Sequence, residues 1–228
     1  MLSCLLHLAN FAERIKTHYG FPIMDTIFSI IILVMSVVIH EVSHGYAALR
    51  LGDQTARLAG RLTLNPIKHL DPVGSVIVPL LTTLGGFPFG WAKPVPYNPY
   101  NLRNQRWGEL IVAAAGPVSN IIVAVFFSMI IRFSDVGQSQ IISPFFEISA
   151  TIVWVNLVLA IFNLLPVPPL DGSKILFSVL PYGISQKIRL SLERYGIFIV
   201  VIFLIFIWEI VSPLIYWIFS LLAGVNLQ

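Results

Sequence analysis

Long apolar blocks separated by short polar stretches run along the chain, and their lengths set the first expectations. Residues 23–51 form the first block, and the stretch from Thr26 to Ile39 carries no charge at all. At 1.5 Å per residue this block is long enough to cross a hydrocarbon layer of about 30 Å. A second block covers 108–132. Its run Ala113-Ala114-Ala115-Gly116 makes a small-residue face where another helix can approach closely, and Pro117 is expected to bend it. A third block, about 145–165, runs into Pro166-Val-Pro-Pro-Leu-Asp171-Gly172. Three prolines this close together cannot continue a regular helix, so the chain is expected to unwind here and to place Asp171 on an extended piece that folds back toward the first block. The last block, 196–223, reads as one tilted span, or as a span plus a short return broken near Pro213. The pattern predicts an all-α polytopic membrane protein with about four to six membrane segments.

The stretches between blocks carry less information. In 1–22, Leu2, Leu5, Leu6, Ala9 and Ala12 share one helical face without a basic flank before them, which fits an interfacial helix better than a signal peptide. Residues 54–107 are polar at first, then apolar, then rich in Gly and Pro. The apolar part is too short and broken to span, so 73–89 is read as a re-entrant or hairpin element, serving either to pair with an extended ligand chain or simply to plug the core. His69 and Asp71 lack a third metal-ligating neighbour and read as loop caps. Residues 173–194 are amphipathic and basic, and Glu209 in the last block reads as a polar tie between helices.

Composition agrees with the pattern: 57% of the 228 residues are hydrophobic and 11% charged, where soluble domains carry about a quarter. The net charge of +3 gives no reason to expect nucleic-acid binding, and the single cysteine, Cys4, excludes an internal disulfide. The placement of charge is more telling than its sum. Seven Lys and Arg residues lie between Arg50 and Arg106 and four between Lys174 and Arg194, leaving Arg14, Lys16 and Arg132 for the other side. By the positive-inside rule both basic segments face the cytoplasm and the N-terminus lies outside.

Candidate chemistry sits at the end of the first block, in Ile39-His40-Glu41-Val42-Ser43-His44-Gly45. On a helix the i, i+4 spacing puts His40 and His44 on one face, where two imidazoles can bind one Zn²⁺ while Glu41 reaches the water such an ion activates. Ionisable groups within a span cost several kcal/mol unless paired or functional, which counts against a cluster kept only for packing. The charge-derived topology brings His40, His44 and Asp171 to the same level of the membrane, near the cytoplasmic face. Together they supply the three protein ligands of a hydrolytic zinc site, with Glu41 left free as general base. Asn120 is the best-placed further donor for a developing oxyanion, although on its own an Asn at that depth is explained slightly better by a hydrogen bond to a neighbouring helix.

The segments His40-Glu-Val-Ser-His44, Gly116-Pro-Val-Ser-Asn120 and Asn163-Leu-Leu-Pro-Val-Pro-Pro-Leu-Asp171-Gly172, with the loop beginning Gly60-Arg-Leu-Thr-Leu-Asn-Pro, resemble the site-2 protease family of intramembrane zinc metalloproteases, in its short bacterial and archaeal form. The likeness covers about 34–177. It implies zinc bound by His40, His44 and Asp171, Glu41 as base, a transition-state role for Asn120, and transmembrane proteins as substrates. The chain departs from many such proteins in carrying no PDZ domain and no nucleotide-sensing tail, which points to a regulatory membrane partner. The expected organisation is one membrane-embedded domain over 1–228: an N-terminal interfacial segment 1–22, a catalytic core 23–177 and C-terminal segments 178–228, in a bacterial or archaeal cell membrane. A metal transporter or channel using the His/His/Asp group for transit is the alternative. It is disfavoured by the single broken segment, where transporters commonly have paired ones, and by a Glu between the histidines that simple transit does not need.

Overall fold

The computed structural model describes residues 26–77, 92–133, 144–181 and 208–224, together with isolated helical positions between 188 and 199. The expected segment 1–22, the greater part of the 73–89 element and the side chain of Glu209 lie outside the described residues. Among those described, all regular structure is helical. Helix α1 is Thr26–Arg50, α2 a single turn at Thr55–Leu58, α3 Gln105–Phe133, α4 Pro144–Asn163, α5 Asp171–Val179 and α6 Trp208–Ala223. Three of these, α1, α3 and α4, are long and apolar enough to cross a membrane, and α6 contributes a shorter apolar stretch, Val211–Ala223.

Of the three long helices α4 is the most enclosed: 61% of its span is buried inside the protein, against 39% for α1 and 33% for α3. It carries the polar side chains Ser149, Thr151 and Asn156, which lipid cannot satisfy, and these favour a place at the centre of the bundle. Ala150, Val153, Trp154, Val155, Leu157 and Val158 of α4 pack with Leu33 of α1, Ala124 and Ile131 of α3, and Ile215 and Phe219 of α6. Trp154 packs against Tyr216 in a tilted pair with centroids 4.5 Å apart and edge-on at 6.5 Å with Phe219. Helix α3 lies against α1, α4, α5 and α6 and links the layers. At its end Arg132 donates to the Leu221 carbonyl at 2.8 Å, placing a cation on the unpaired carbonyls of the last turn of α6.

Two polar anchors shape the chain after α1. The buried Asp53 carboxylate accepts from Thr55 Oγ1 at 2.6 Å and N–H at 3.1 Å, from Asn98 N–H at 2.7 Å and from Asn101 Nδ2 at 2.8 Å, tying α2 to the distant 98–101 stretch. Burial alone would raise its pKa. The hydrogen bonds from Thr55, Asn101 and Asn98 outweigh that and hold the carboxyl below the usual range. Arg61 donates to the carbonyls of Lys68, Lys93 (2.8 Å) and Pro94 (3.3 Å), which fixes the irregular stretch 92–98. The loop roles expected of His69 and Asp71 are found: His69 Nε2 donates to Thr63 O at 2.8 Å, and Asp71 caps the N–H groups of Val73 and Gly74.

One expectation is corrected. The prolines do end α4, but Asp171 is not on an extended piece; it is the first residue of α5. A carboxylate in the first turn of a helix is stabilised by the free N–H groups and the dipole there, and Leu170 supplies the extended residue ahead of it. Gly172 makes the turn possible: a Cβ at that position would lie 2.2 Å from Leu164 O and 2.3 Å from Leu165 O. Only hydrogen fits between α5 and the end of α4.

Candidate metal centre

His40 and His44 lie on the inner face of α1, with side chains almost fully buried, as does Asp171 at the start of α5. His40 Nε2 and His44 Nε2 are 3.1 Å apart, and each is 3.1 Å from Asp171 Oδ2. Ligands about 2.0–2.1 Å from a tetrahedral zinc ion are separated by about 3.3 Å, so this near-equilateral triangle has the dimensions of three corners of such a site. The far sides of both rings are fixed. His40 Nδ1 lies 2.6 Å from Asn120 Oδ1 and His44 Nδ1 lies 2.6 Å from the Val112 carbonyl. A carbonyl oxygen can only accept, so each Nδ1 carries the proton and each Nε2 turns its lone pair inward, as a metal ligand requires.

Space for an ion is provided from α3. A Cβ on Gly116 would lie 2.5 Å from His44 Nε2 and 2.6 Å from His40 Nε2 and Cε1, so the glycine leaves the front of the triangle open where any side chain would fill it. The sequence reading treated Gly116 as a helix-packing residue and missed this role. The hints were its place four residues before Asn120, on the same helical face, and its position in the Gly116-Pro-Val-Ser-Asn120 segment that carries the family resemblance. Lys174 was missed as well. One turn after Asp171, its Nζ lies 3.3 Å from Asp171 Oδ1 and 5.6 Å over the Tyr97 ring, so it occupies the carboxylate oxygen that does not face the histidines. Burial disfavours the lysine charge, but the Asp171 carboxylate outweighs that and raises its pKa above the ordinary lysine value.

Glu41 lies outside the triangle. Its Oε2 accepts the Val95 N–H at 2.9 Å, from the stretch that Arg61 holds. Gly45 lets this stretch lie against α1, since a Cβ there would sit 2.6 Å from Leu62 and 2.9 Å from Val95. Asn120 is fully buried on α3, its oxygen toward His40 and its Nδ2 donating at 2.8 Å to Asn156 Oδ1 on α4. Of the sequence-derived residues, His40, His44 and Asp171 are brought together as a set that could hold one metal ion, Asn120 bonds the far side of His40, and Glu41 follows His40 on the same helix.

Helices long and apolar enough to cross a membrane thus surround a buried two-histidine, one-carboxylate group that could hold a metal ion, the arrangement of a membrane-embedded metalloprotein. Two stretches, 28–145 and 134–207, match the sequence model of Peptidase family M50, and the chain belongs to that family, the site-2 protease family, as a zinc metalloprotease. It is 38% identical over 203 residues to YwhC of Bacillus subtilis, covering 85% of this chain and 84% of that protein. It is 31% identical over 176 residues to Rip2 of Mycolicibacterium smegmatis, covering 75% of this chain and 64% of the relative; both proteins carry a provisional zinc-metalloprotease designation. A more distant relative is the zinc metalloprotease MJ0392 of Methanocaldococcus jannaschii, 25% identical over 163 residues, 71% of this chain and 37% of that one. No solved structure matches the chain.

Proposed function

We propose that the protein hydrolyses peptide bonds in or near transmembrane segments of other membrane proteins, as a step of regulated intramembrane proteolysis, with His40, His44 and Asp171 holding one zinc ion. The observation that carries this reading is the triangle of ligand atoms with 3.1 Å sides, built from α1 and α5 at the end of a membrane-crossing helix. When bound, zinc supplies Lewis-acid activation of water and polarisation of the scissile carbonyl. Glu41 takes a proton from the attacking water as its oxygen bonds to the carbonyl carbon, then delivers that proton to the amine nitrogen as the C–N bond breaks. The Val95 N–H and the Arg61 clamp hold the Glu41 carboxylate on its side of the site. Lys174 holds one oxygen of Asp171, leaving the other toward the histidines. Both amide atoms of Asn120 are engaged within the protein, which favours an action on the transition state through His40 over direct contact with an oxyanion.

A helical substrate hides its scissile bond behind intrahelical hydrogen bonds, so the bond must unwind locally before attack, and the 73–89 element is proposed to receive the unwound strand. Cleavage kinetics unchanged after scrambling that element would remove it from the mechanism. The distribution of Lys and Arg supports a site opening to the cytoplasm with the N-terminus outside, in a bacterial or archaeal cell membrane, and the regulatory partner is proposed to be a membrane protein. The experiment is Glu41→Gln. Loss of the general base is expected to lower hydrolysis by about 10²–10⁴-fold with zinc content unchanged. Mass spectrometry of membranes from cells carrying that variant should find single-span proteins accumulating uncleaved. An unaltered membrane proteome would point to a purely structural metal site, and zinc flux persisting without proteolysis would favour the transport reading.

A further inference from the structure

The central helix α4 contains one fully buried amide, Asn156, that the proposed chemistry does not use. Its Nδ2 donates to the Ile152 carbonyl one turn back at 2.8 Å and to Ser36 Oγ on α1 at 2.9 Å, while its Oδ1 accepts from Asn120 Nδ2 at 2.8 Å. Ser36 is 4% exposed, and Asn120 and Asn156 are both 0% exposed, so water does not substitute for any of these bonds. The chain of bonds runs across three membrane-crossing helices and ends on His40 Nδ1.

The direction of this chain is fixed at one end. The Ile152 carbonyl can only accept, so the Asn156 atom facing it must be the amino group, and the atom facing Asn120 must then be the oxygen. Asn120 can answer an oxygen only with its own amino group, which leaves Asn120 Oδ1 for His40. An oxygen there requires the His40 proton on Nδ1. We infer that Asn156 is a positioning residue for the metal centre: its backbone-anchored amide sets the orientation of Asn120, and through it the tautomer of His40 that leaves Nε2 free to bind zinc. A simple interhelical tie would work with either amide orientation. Here the opposite orientation of Asn120 would present N–H to His40 Nδ1, move the ring proton to Nε2 and close that nitrogen to the ion. Outer partners of metal-bound histidines typically contribute about 10–100-fold in metal affinity. Asn156 acts one bond further out, as the group that decides which way such a partner points.

The inference rests on the proposed zinc site, and the test separates the two. Zinc affinity is measured by chelator competition in detergent, with the unfolding temperature of each metal-free variant recorded alongside. Asn156→Leu is expected to weaken Zn²⁺ binding about 10–100-fold. Asn156→Asp keeps an oxygen facing Asn120 in either protonation state and should stay within about threefold of the parent. In an Asn120→Ala background, Asn156→Leu should cause no further loss, because its effect has no other route to His40. Parental affinity in a folded Asn156→Leu variant, or an undiminished loss in the Asn120→Ala background, overturns the inference. If the parent itself does not bind Zn²⁺, the proposed site falls with it. Should Asn156→Leu fail to fold, ¹⁵N shifts of His40 in the metal-free parent decide: the Nδ1–H tautomer supports the inference, and a dominant Nε2–H tautomer overturns it.

Discussion

Replacing Gly116 with alanine adds one methyl group at the place where the metal would sit. The new carbon would lie 2.5–2.6 Å from the two Nε2 atoms, where ordinary contact begins near 3.4 Å, so the rings must yield by roughly 0.8 Å. Zinc sites tolerate ligand displacements of only about 0.2 Å. The rings cannot simply slide, because Asn120 Oδ1 and the Val112 carbonyl hold both Nδ1 atoms at 2.6 Å, and breaking either bond in this buried setting costs about 1–3 kcal/mol. With both rings displaced, the expected loss is about 3 kcal/mol or more, at least a hundredfold in zinc affinity. The metal-free fold meets the same crowding, which alanine's advantage over glycine in a helix, about 1 kcal/mol, offsets only in part, so its unfolding temperature should fall modestly while zinc affinity falls far more. The assay is zinc competition against a chelator, paired with thermal unfolding of the metal-free protein. Parental affinity in Gly116→Ala would refute the placement of an ion in front of Gly116, and with it the reason given for a glycine there.

Other outcomes follow from the same geometry. Gly172→Ala drives a methyl into the carbonyls of Leu164 and Leu165, backbone atoms that cannot turn aside, so α5 and Asp171 should be displaced, with zinc and hydrolysis lost while helical content by circular dichroism stays near the parent's. Asp53→Ala removes four hydrogen bonds to a buried carboxylate and should cost about 2–3 kcal/mol at pH 7 in chemical denaturation. Because the folded pKa of Asp53 is depressed, its stabilisation is full above the ordinary carboxylate value and is lost as pH falls through the folded one. The gap between parent and Asp53→Ala should therefore close in acid, and a gap constant down to pH 2 would contradict the assignment. Dialysis against a strong chelator should abolish hydrolysis, and Zn²⁺ should restore it to the parent but not to Asp171→Ala.

The sequence made the apolar helices and the grouping of His40, His44 and Asp171 legible because both rest on short-range or compositional signals. Charge-free apolar runs announce α1, α3 and α4, and the i, i+4 spacing of His40 and His44 needs only a helix. Asp171 was reachable because prolines in a membrane block demand an explanation, yet its backbone state was misread. The prolines argue for unwinding, while the favour a new helix start grants to an acidic residue becomes visible only once Gly172 is seen packed on Leu164 and Leu165. Gly116, Lys174 and Asn156 were read as packing, as topology-setting charge, or not at all. Each owes its role to a neighbour on another helix or to a contact with Asp171, and no pattern along one helix reveals what faces it. The Glu41–Val95 bond joins residues 54 apart and depends on the Arg61 clamp, which is equally a tertiary fact.

The most direct test of the account is X-ray absorption at the zinc edge on the purified protein in detergent, compared with Asp171→Ala. The expected spectrum of the parent has two imidazole nitrogens and carboxylate or water oxygens at about 2.0–2.2 Å, and zinc content should fall sharply in Asp171→Ala. Full zinc occupancy in Asp171→Ala, or a sulfur ligand at about 2.3 Å implicating Cys4, would contradict it.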